Sequence, residues 1–170
     1  MGFVFVTGGA RSGKSELAVR LGREAGTSVT FIATATAGDG EMEERIRRHR
    51  SARPVEWSTV EAPLALLPAI AGASAEHFLI VDCLTLWVSN LLGAGQSADA
   101  IRGLAGSAAV ELARRRGVVV TNEVGLGIVP ANKLARTFRD VLGAVNATFA
   151  EHSERSLLMV AGRALELKQV

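Results

Sequence analysis

Short, almost wholly apolar runs alternate along this chain with longer stretches in which apolar residues recur every three or four positions. Residues 3–7 (Phe-Val-Phe-Val-Thr), 29–33, 77–83, 118–121 and 156–161 are the short runs. They read as strands buried on both faces, because a strand covered on one face only would alternate apolar with polar. Between them, Leu17, Ala18, Leu21 and Ala25 keep helical spacing up to Gly26, a residue type that commonly ends helices. Residues 84–92 and 98–116 read as helices, the second weakened by Gly103 and Gly106. Residues 134–152 form another, with Phe138, Val141, Leu142, Val145 and Phe149 on one stripe.

Other stretches carry weaker patterns. Asp39-Gly40 reads as a turn and cap before a short helix over 41–50. Glu41/Arg45, Glu43/Arg47 and Glu44/Arg48 are spaced i,i+4 in the favourable orientation, and Met42, Ile46 and His49 share one face. Pro54 blocks its continuation. Residues 55–60 alternate and predict a short extended segment. In 64–72, Pro68 requires a helix that kinks there or starts after Pro63. Residues 93–97 and 125–132 read as loops, and 165–168 as an edge hairpin after Gly162. Strands alternating with helices imply an α/β domain whose mostly parallel sheet carries helices on both faces. Ligands then sit at the carboxyl ends of the strands. Residues 8–15, 34–36, Asp82 and the pair Asn122-Glu123 all fall there.

Residues 8–15, Gly-Gly-Ala-Arg-Ser-Gly-Lys-Ser, satisfy the P-loop pattern G-x-x-x-x-G-K-[ST] directly after a strand and directly before a helix. Gly8, Gly9 and Gly13 let the backbone approach a phosphate closely. The N–H groups of Gly8, Gly9, Ala10, Arg11, Ser12 and Gly13 supply an anion nest, and the following helix adds its positive end. Lys14 is expected to reach the β- and γ-phosphates, and the Ser15 hydroxyl to ligate Mg²⁺. Asp82 closes an apolar strand, where a P-loop protein holds the same Mg²⁺; the plain alternative is a cap on the next helix.

Composition narrows the classes. With 170 residues and 48% hydrophobic content the chain suggests one domain with a full core. Cys83 is the only cysteine, which excludes a disulfide framework or a cysteine metal site. No apolar run is long enough for a membrane span and the opening residues carry no signal segment, so a cytoplasmic protein is expected. A net charge of +2 is too small to argue for nucleic acid. The basic residues are interleaved with acids and lack stacking aromatics. Arg114 to Arg116 read as a solvated helix end. His49 sits among arginines. It is either a surface or partly packed side chain or a nucleophile, its imidazole kept neutral by nearby positive charge and opposed in this by the helix terminus. His77 and His152 read as structural. Residues 122–130 form a strand-end polar pair and a loop too apolar for solvent, predicted to pack on a ligand or another subunit, or to be a tight connection.

These motifs, taken together and in order, resemble one family. Beside the P-loop stand Glu-Met-Glu-Glu-Arg-Ile-Arg-Arg-His-Arg (41–50), Arg53-Pro54 with Trp57 and Glu61, Val-Asp-Cys-Leu-Thr (81–85) with Asn90-Leu91-Leu92, and Thr-Asn-Glu-Val-Gly-Leu-Gly-Ile-Val-Pro (121–130). They are similar to the bifunctional adenosylcobinamide kinase / adenosylcobinamide-phosphate guanylyltransferase family over nearly the whole chain. The resemblance implies a RecA-like P-loop domain, a homotrimer, and two reactions. The first phosphorylates adenosylcobinamide with ATP or GTP; the second transfers GMP from GTP through a guanylylated histidine. It further implies that Gly8 to Ser15 bind the GTP phosphates and that Thr34, Ala35, Thr36, Ser51, Ala52, Arg53 and Pro54 line the nucleotide site. Glu61 and Asp82 complete it. Some members carry two adjacent histidines in the 41–50 helix. Here Arg48 replaces the first, so the implied guanylyl acceptor is His49. The alternative is a kinase that has lost guanylyltransfer. The ending Gly-Arg-Ala-Leu-Glu-Leu-Lys (162–168) is also less apolar than the family's.

Overall fold

The computed structural model describes residues 2–36, 44, 47 and 53–168. The described elements are β1 (Phe3–Gly8), α1 (Lys14–Glu24), β2 (Val29–Ala33), β3 (Ser58–Glu61), α2 (Leu66–Gly72), β4 (Phe78–Asp82) and α3 (Leu84–Gly93). They continue with α4 (Ala98–Ala113), β5 (Gly117–Val120), α5 (Lys133–His152), β6 (Arg155–Val160) and β7 (Arg163–Leu167). The sheet order is β3-β2-β4-β5-β1-β6-β7. Every pairing is parallel except β6 with β7. This is the expected α/β architecture of a RecA-like P-loop domain.

Alternate residues of each buried strand enter two separate cores. Phe3, Phe5, Leu79, Val81 and Val119 pack under α2, α3, α4 and α5. Val6, Phe31, Ile80, Val118 and Met159 pack under α1. The near-continuous apolar runs are therefore explained by helices on both faces. α1 approaches so closely that a Cβ on Gly22 would lie 2.8 Å from Ile80 Cδ1 and from the Trp57 ring.

Two boundaries differ from expectation, while the late start of the Pro68 helix and the hairpin at Gly162 are as expected. Residues 54–57 form a turn closed by Trp57 N–H to the Pro54 carbonyl (3.2 Å), so the strand starts at Ser58 and Val55 is fully exposed. Alternation of side chains cannot distinguish that turn from a strand. α2 accommodates Pro68 at its third position, where an amide hydrogen has no intrahelical acceptor to lose. β6 and β7 join through Ala161 (φ 49°) and Gly162 (φ 75°), the two positive-φ residues of a tight hairpin. Arg155 pairs with Glu166 across it (3.1 Å), holding the carboxyl below its usual range.

The second difference concerns Arg114 to Arg116. α4 ends at Ala113, and the three arginines form the turn into β5. Arg114 and Arg116 are exposed as expected, but Arg115 is buried. Its Nη1 donates to the Ile70 carbonyl (2.9 Å) and its Nη2 to those of Ala73 (2.9 Å) and Ser74. It caps the carboxyl end of α2 from a neighbouring element, where a cation suits the helix dipole.

Of the 41–50 segment, Glu44 and Arg47 are helical and form an exposed i,i+3 ion pair. The Asp39-Gly40 turn, the Met42, Ile46, His49 face and the three i,i+4 pairs rest on residues outside the described ones.

Candidate active site

The P-loop is built as its residue types require. β1 ends at Gly8, whose φ of 146° suits glycine and whose added Cβ would fall 2.3 Å from the Met159 carbonyl oxygen. Arg11 (φ 57°) and Gly13 (φ 97°) are both left-handed, giving the curled backbone of an anion nest. Gly9, Ala10 and Arg11 are exposed at the apex, whereas Ser12 is buried beneath it. The hairpin turn braces the loop from behind, with Gly162 N–H donating to the Ser12 carbonyl (3.0 Å). Gly13 precedes α1 and gives it no side-chain cap. The first amides of that helix are the natural partners of a phosphate. Lys14 is buried, and its Nζ donates to the Gly9 carbonyl (2.6 Å) and to Ser12 Oγ (3.3 Å). Ser15 follows, half-buried, as the second residue of α1.

Strand register places the remaining candidates on the same edge. Glu61, Ala33, Asp82, Val120 and Val6 are successive partners across β3, β2, β4, β5 and β1. Asp82 thus stands two strands, roughly 10 Å, from Val6, two residues before the P-loop. Glu61 stands as far on the other side. Asp82 is half-buried at the end of β4, and Glu61 is exposed at the end of β3. A serine hydroxyl and a carboxylate are oxygen donors that suit a hard cation such as Mg²⁺. Among the described residues no cluster of three His, Cys, Asp or Glu side chains offers another metal site.

Thr34 does different work from its neighbours. It is fully buried, its N–H donates to the Asp82 carbonyl (3.1 Å), and its hydroxyl accepts from Cys83 N–H (2.8 Å) while donating to the Cys83 carbonyl (2.7 Å). It therefore fixes the Asp82–Cys83 peptide, which is cis. Asn90 Nδ2 holds the Thr34 carbonyl (2.8 Å) and that of Pro63 (3.1 Å). Ala35 is half-buried and Thr36 exposed. Arg53 stacks its guanidinium 3.2 Å from the centroid of the Phe31 ring, a cation–π contact on the α1 face, with Pro54 half-buried beside it. Ser51, Ala52 and His49 lie outside the described residues.

Cys83 is not a nucleophile in waiting. Burial, and then the Asp82 charge, push its thiol up to about 11. His77 Nδ1 bonds Thr30 Oγ1 (2.8 Å) and His152 Nδ1 meets the Thr148 carbonyl (2.9 Å), in keeping with structural roles. In the loop after β5, Leu126 (88% exposed) and Ile128 (97%) face outward with Val129, and Leu134 is exposed in the first turn of α5. Sequence reasoning missed Thr85 and Asn146, two buried polar side chains beneath the Asn122-Glu123 pair. The available signal was one asparagine on the apolar stripe of α5 and one threonine at the head of the apolar α3.

Comparison with known proteins identifies the family. The family described as cobinamide kinase / cobinamide phosphate guanyltransferase (CobU) matches residues 4–167. The chain is 47% identical over 166 residues to the bifunctional adenosylcobalamin biosynthesis protein CobP of Pseudomonas aeruginosa, covering 96% of this chain and 95% of that one. It is 38% identical over 182 residues to the bifunctional adenosylcobalamin biosynthesis protein CobU of Salmonella typhimurium, covering 97% and 99%. The structure of PH0250 from Pyrococcus horikoshii OT3 shares the fold at a TM-score of 0.59 and 9% identity, covering 99% of this chain and 87% of that one. A P-loop with Lys14 buried in it, Asp82 on the same sheet edge, and these matches along the whole chain place it in one group: the chain belongs to the cobinamide kinase / cobinamide phosphate guanyltransferase family.

Proposed function

We propose that this chain phosphorylates the aminopropanol hydroxyl of adenosylcobinamide with ATP or GTP. It then transfers GMP from GTP to the new phosphate, giving adenosylcobinamide-GDP. The observation that carries the reading is the P-loop itself, with Lys14 buried within it and Asp82 and Glu61 on the same edge. Lys14 and the amides of residues 8–13 hold the triphosphate. Ser15 and Asp82 would hold Mg²⁺, which neutralises phosphate charge when bound. Ala35, Thr36, Ser51, Ala52, Arg53, Pro54 and Glu61 line the nucleotide, and Thr34 acts by fixing the peptide after Asp82.

In the kinase step the substrate hydroxyl attacks the γ-phosphorus, loses its proton, and expels the nucleoside diphosphate. In the second step His49 attacks the α-phosphorus of GTP and pyrophosphate leaves. A phosphate oxygen of adenosylcobinamide-phosphate then displaces the histidine. One P-loop domain over residues 1–170 carries both steps in the cytoplasm, as a homotrimer without nucleic acid or membrane. The outward-facing Leu126, Ile128 and Val129 support a subunit contact. Incubating the protein with adenosylcobinamide, GTP and Mg²⁺ and analysing products by mass tests the reading. Adenosylcobinamide-GDP is expected, the phosphate alone marks a kinase only, and unchanged adenosylcobinamide refutes both.

A further inference from the structure

Asn122 lies just past the end of β5, where the sheet no longer supplies all of its partners. Its neighbours still pair with the P-loop strand: Thr121 N–H donates to the Val6 carbonyl (3.0 Å) and Glu123 N–H to that of Gly8 (3.1 Å). The backbone groups of Asn122 therefore face the other side, toward β4. That strand has ended at Asp82, opposite Val120. A half-buried backbone left so is better satisfied by substitutes.

A closed ring of side chains provides them. Asn122 N–H donates to Thr85 Oγ1 (2.7 Å), and Thr121 Oγ1 donates to Asn146 Oδ1 (2.8 Å). Because the single hydroxyl proton of Thr121 is so used, Thr85 must be the donor in the 3.4 Å contact between the two threonines. Asn146 Nδ2 then returns to the Asn122 carbonyl (3.1 Å). The ring starts and finishes on one residue and gives every proton a single direction. Thr85, Thr121 and Asn146 are all buried, on α3, just past β5 and on α5. β5 lies between β1 and β4. Asn122 is thus held between the loop that grips the triphosphate and the strand that ends in Asp82.

We infer that Thr85 and Asn146 are positioning residues for phosphoryl transfer, fixing the Asn122-Glu123 segment beside the P-loop, where Glu123 N–H donates to the Gly8 carbonyl and the Glu123 carboxylate accepts from Gly125 N–H. The inference rests on the kinase reading above. Replacing either ring member lowers turnover without loosening nucleotide binding, because the P-loop contacts are untouched.

The experiment measures kcat and KM for GTP in the kinase step for Asn146→Leu, Thr85→Val, Thr85→Ser, the double variant Asn146→Leu/Thr85→Val, and the buried α5 control Val145→Ala. Asn146→Leu and Thr85→Val are each expected to lower kcat at least tenfold with KM for GTP within twofold. The double variant should be no worse than the poorer single, since both open one ring. Thr85→Ser, which keeps the hydroxyl, should restore turnover. Val145→Ala should lose thermal stability yet keep kcat within twofold. If Asn146→Leu fails to fold, the Thr85→Val and Thr85→Ser pair decides alone. Unchanged kcat in Thr85→Val, or an equal loss in Val145→Ala, overturns the inference and leaves the kinase reading standing. Absence of phosphoryl transfer by the unsubstituted chain overturns both.

Discussion

Arg115→Met is the sharpest test of how the fold is held. Three adjacent arginines look alike in the sequence, but only the middle one is buried, with three donor contacts to carbonyls at the end of α2. A hydrogen bond to a charged group is worth about 1.5–3 kcal/mol. The three contacts share one guanidinium whose own desolvation disappears with it. Ser74 is exposed and regains water, while Ile70 is fully buried. The net loss is therefore about 2–3 kcal/mol, not the sum. For a chain of this size 1 kcal/mol corresponds to roughly 2–4 °C, so Tm should fall by roughly 4–12 °C. Arg114→Met and Arg116→Met, at exposed positions, should each stay within about 0.5 kcal/mol of the parent. Calorimetry or thermal circular dichroism on the three variants reads this directly. Equal melting temperatures for all three would refute the capping role assigned to Arg115.

The remaining predictions concern the site. Lys14→Ala should weaken GTP binding or lower turnover at least tenfold, since a charge-assisted contact contributes about 1.5–3 kcal/mol; unaltered affinity and rate would remove the P-loop assignment. Gly8→Ala should destabilise the fold by at least about 2 kcal/mol, because φ is 146° and the new Cβ would meet the Met159 carbonyl; an unshifted denaturant midpoint would contradict it. Cys83, with its thiol pushed up to about 11, has only about one thiolate in a thousand at pH 8. Alkylation by iodoacetamide should be slow and rise about tenfold per pH unit from 7 to 9, and a plateau near pH 8.5 would show an ordinary thiol.

The core strands were legible as short, nearly continuous apolar runs, and the long helices as apolar stripes of fixed period. The P-loop was legible because eight consecutive residues carry its chemistry. Sheet order was not, since periodicity records that Val118 and Val119 are buried but not that β5 inserts between β1 and β4. Residues 55–57 misled because an exposed turn and a strand can show the same alternation. Arg115 was read with its sequence neighbours, whereas its partners lie more than forty positions away at the carboxyl end of α2. The Thr85, Thr121 and Asn146 ring joins three distant segments, so the sequence shows lone polar residues in apolar helices but not that they are partners. Thr34 was correctly placed at a strand end, but the burial of its hydroxyl against Cys83 depends on how β2 and β4 pair.

The central claim is that this P-loop serves a guanylyltransferase as well as a kinase, and labelling with α-labelled GTP and Mg²⁺ followed by denaturing electrophoresis tests it most directly. The account predicts a label on the unsubstituted protein that is labile to acid and stable to base, as a phosphoramidate is. It predicts no label on His49→Ala, whose kinase activity on adenosylcobinamide persists because Lys14 and Asp82 are untouched. Label retained by His49→Ala would place the nucleophile elsewhere, and no label on the unsubstituted protein would contradict the guanylyl-histidine route altogether.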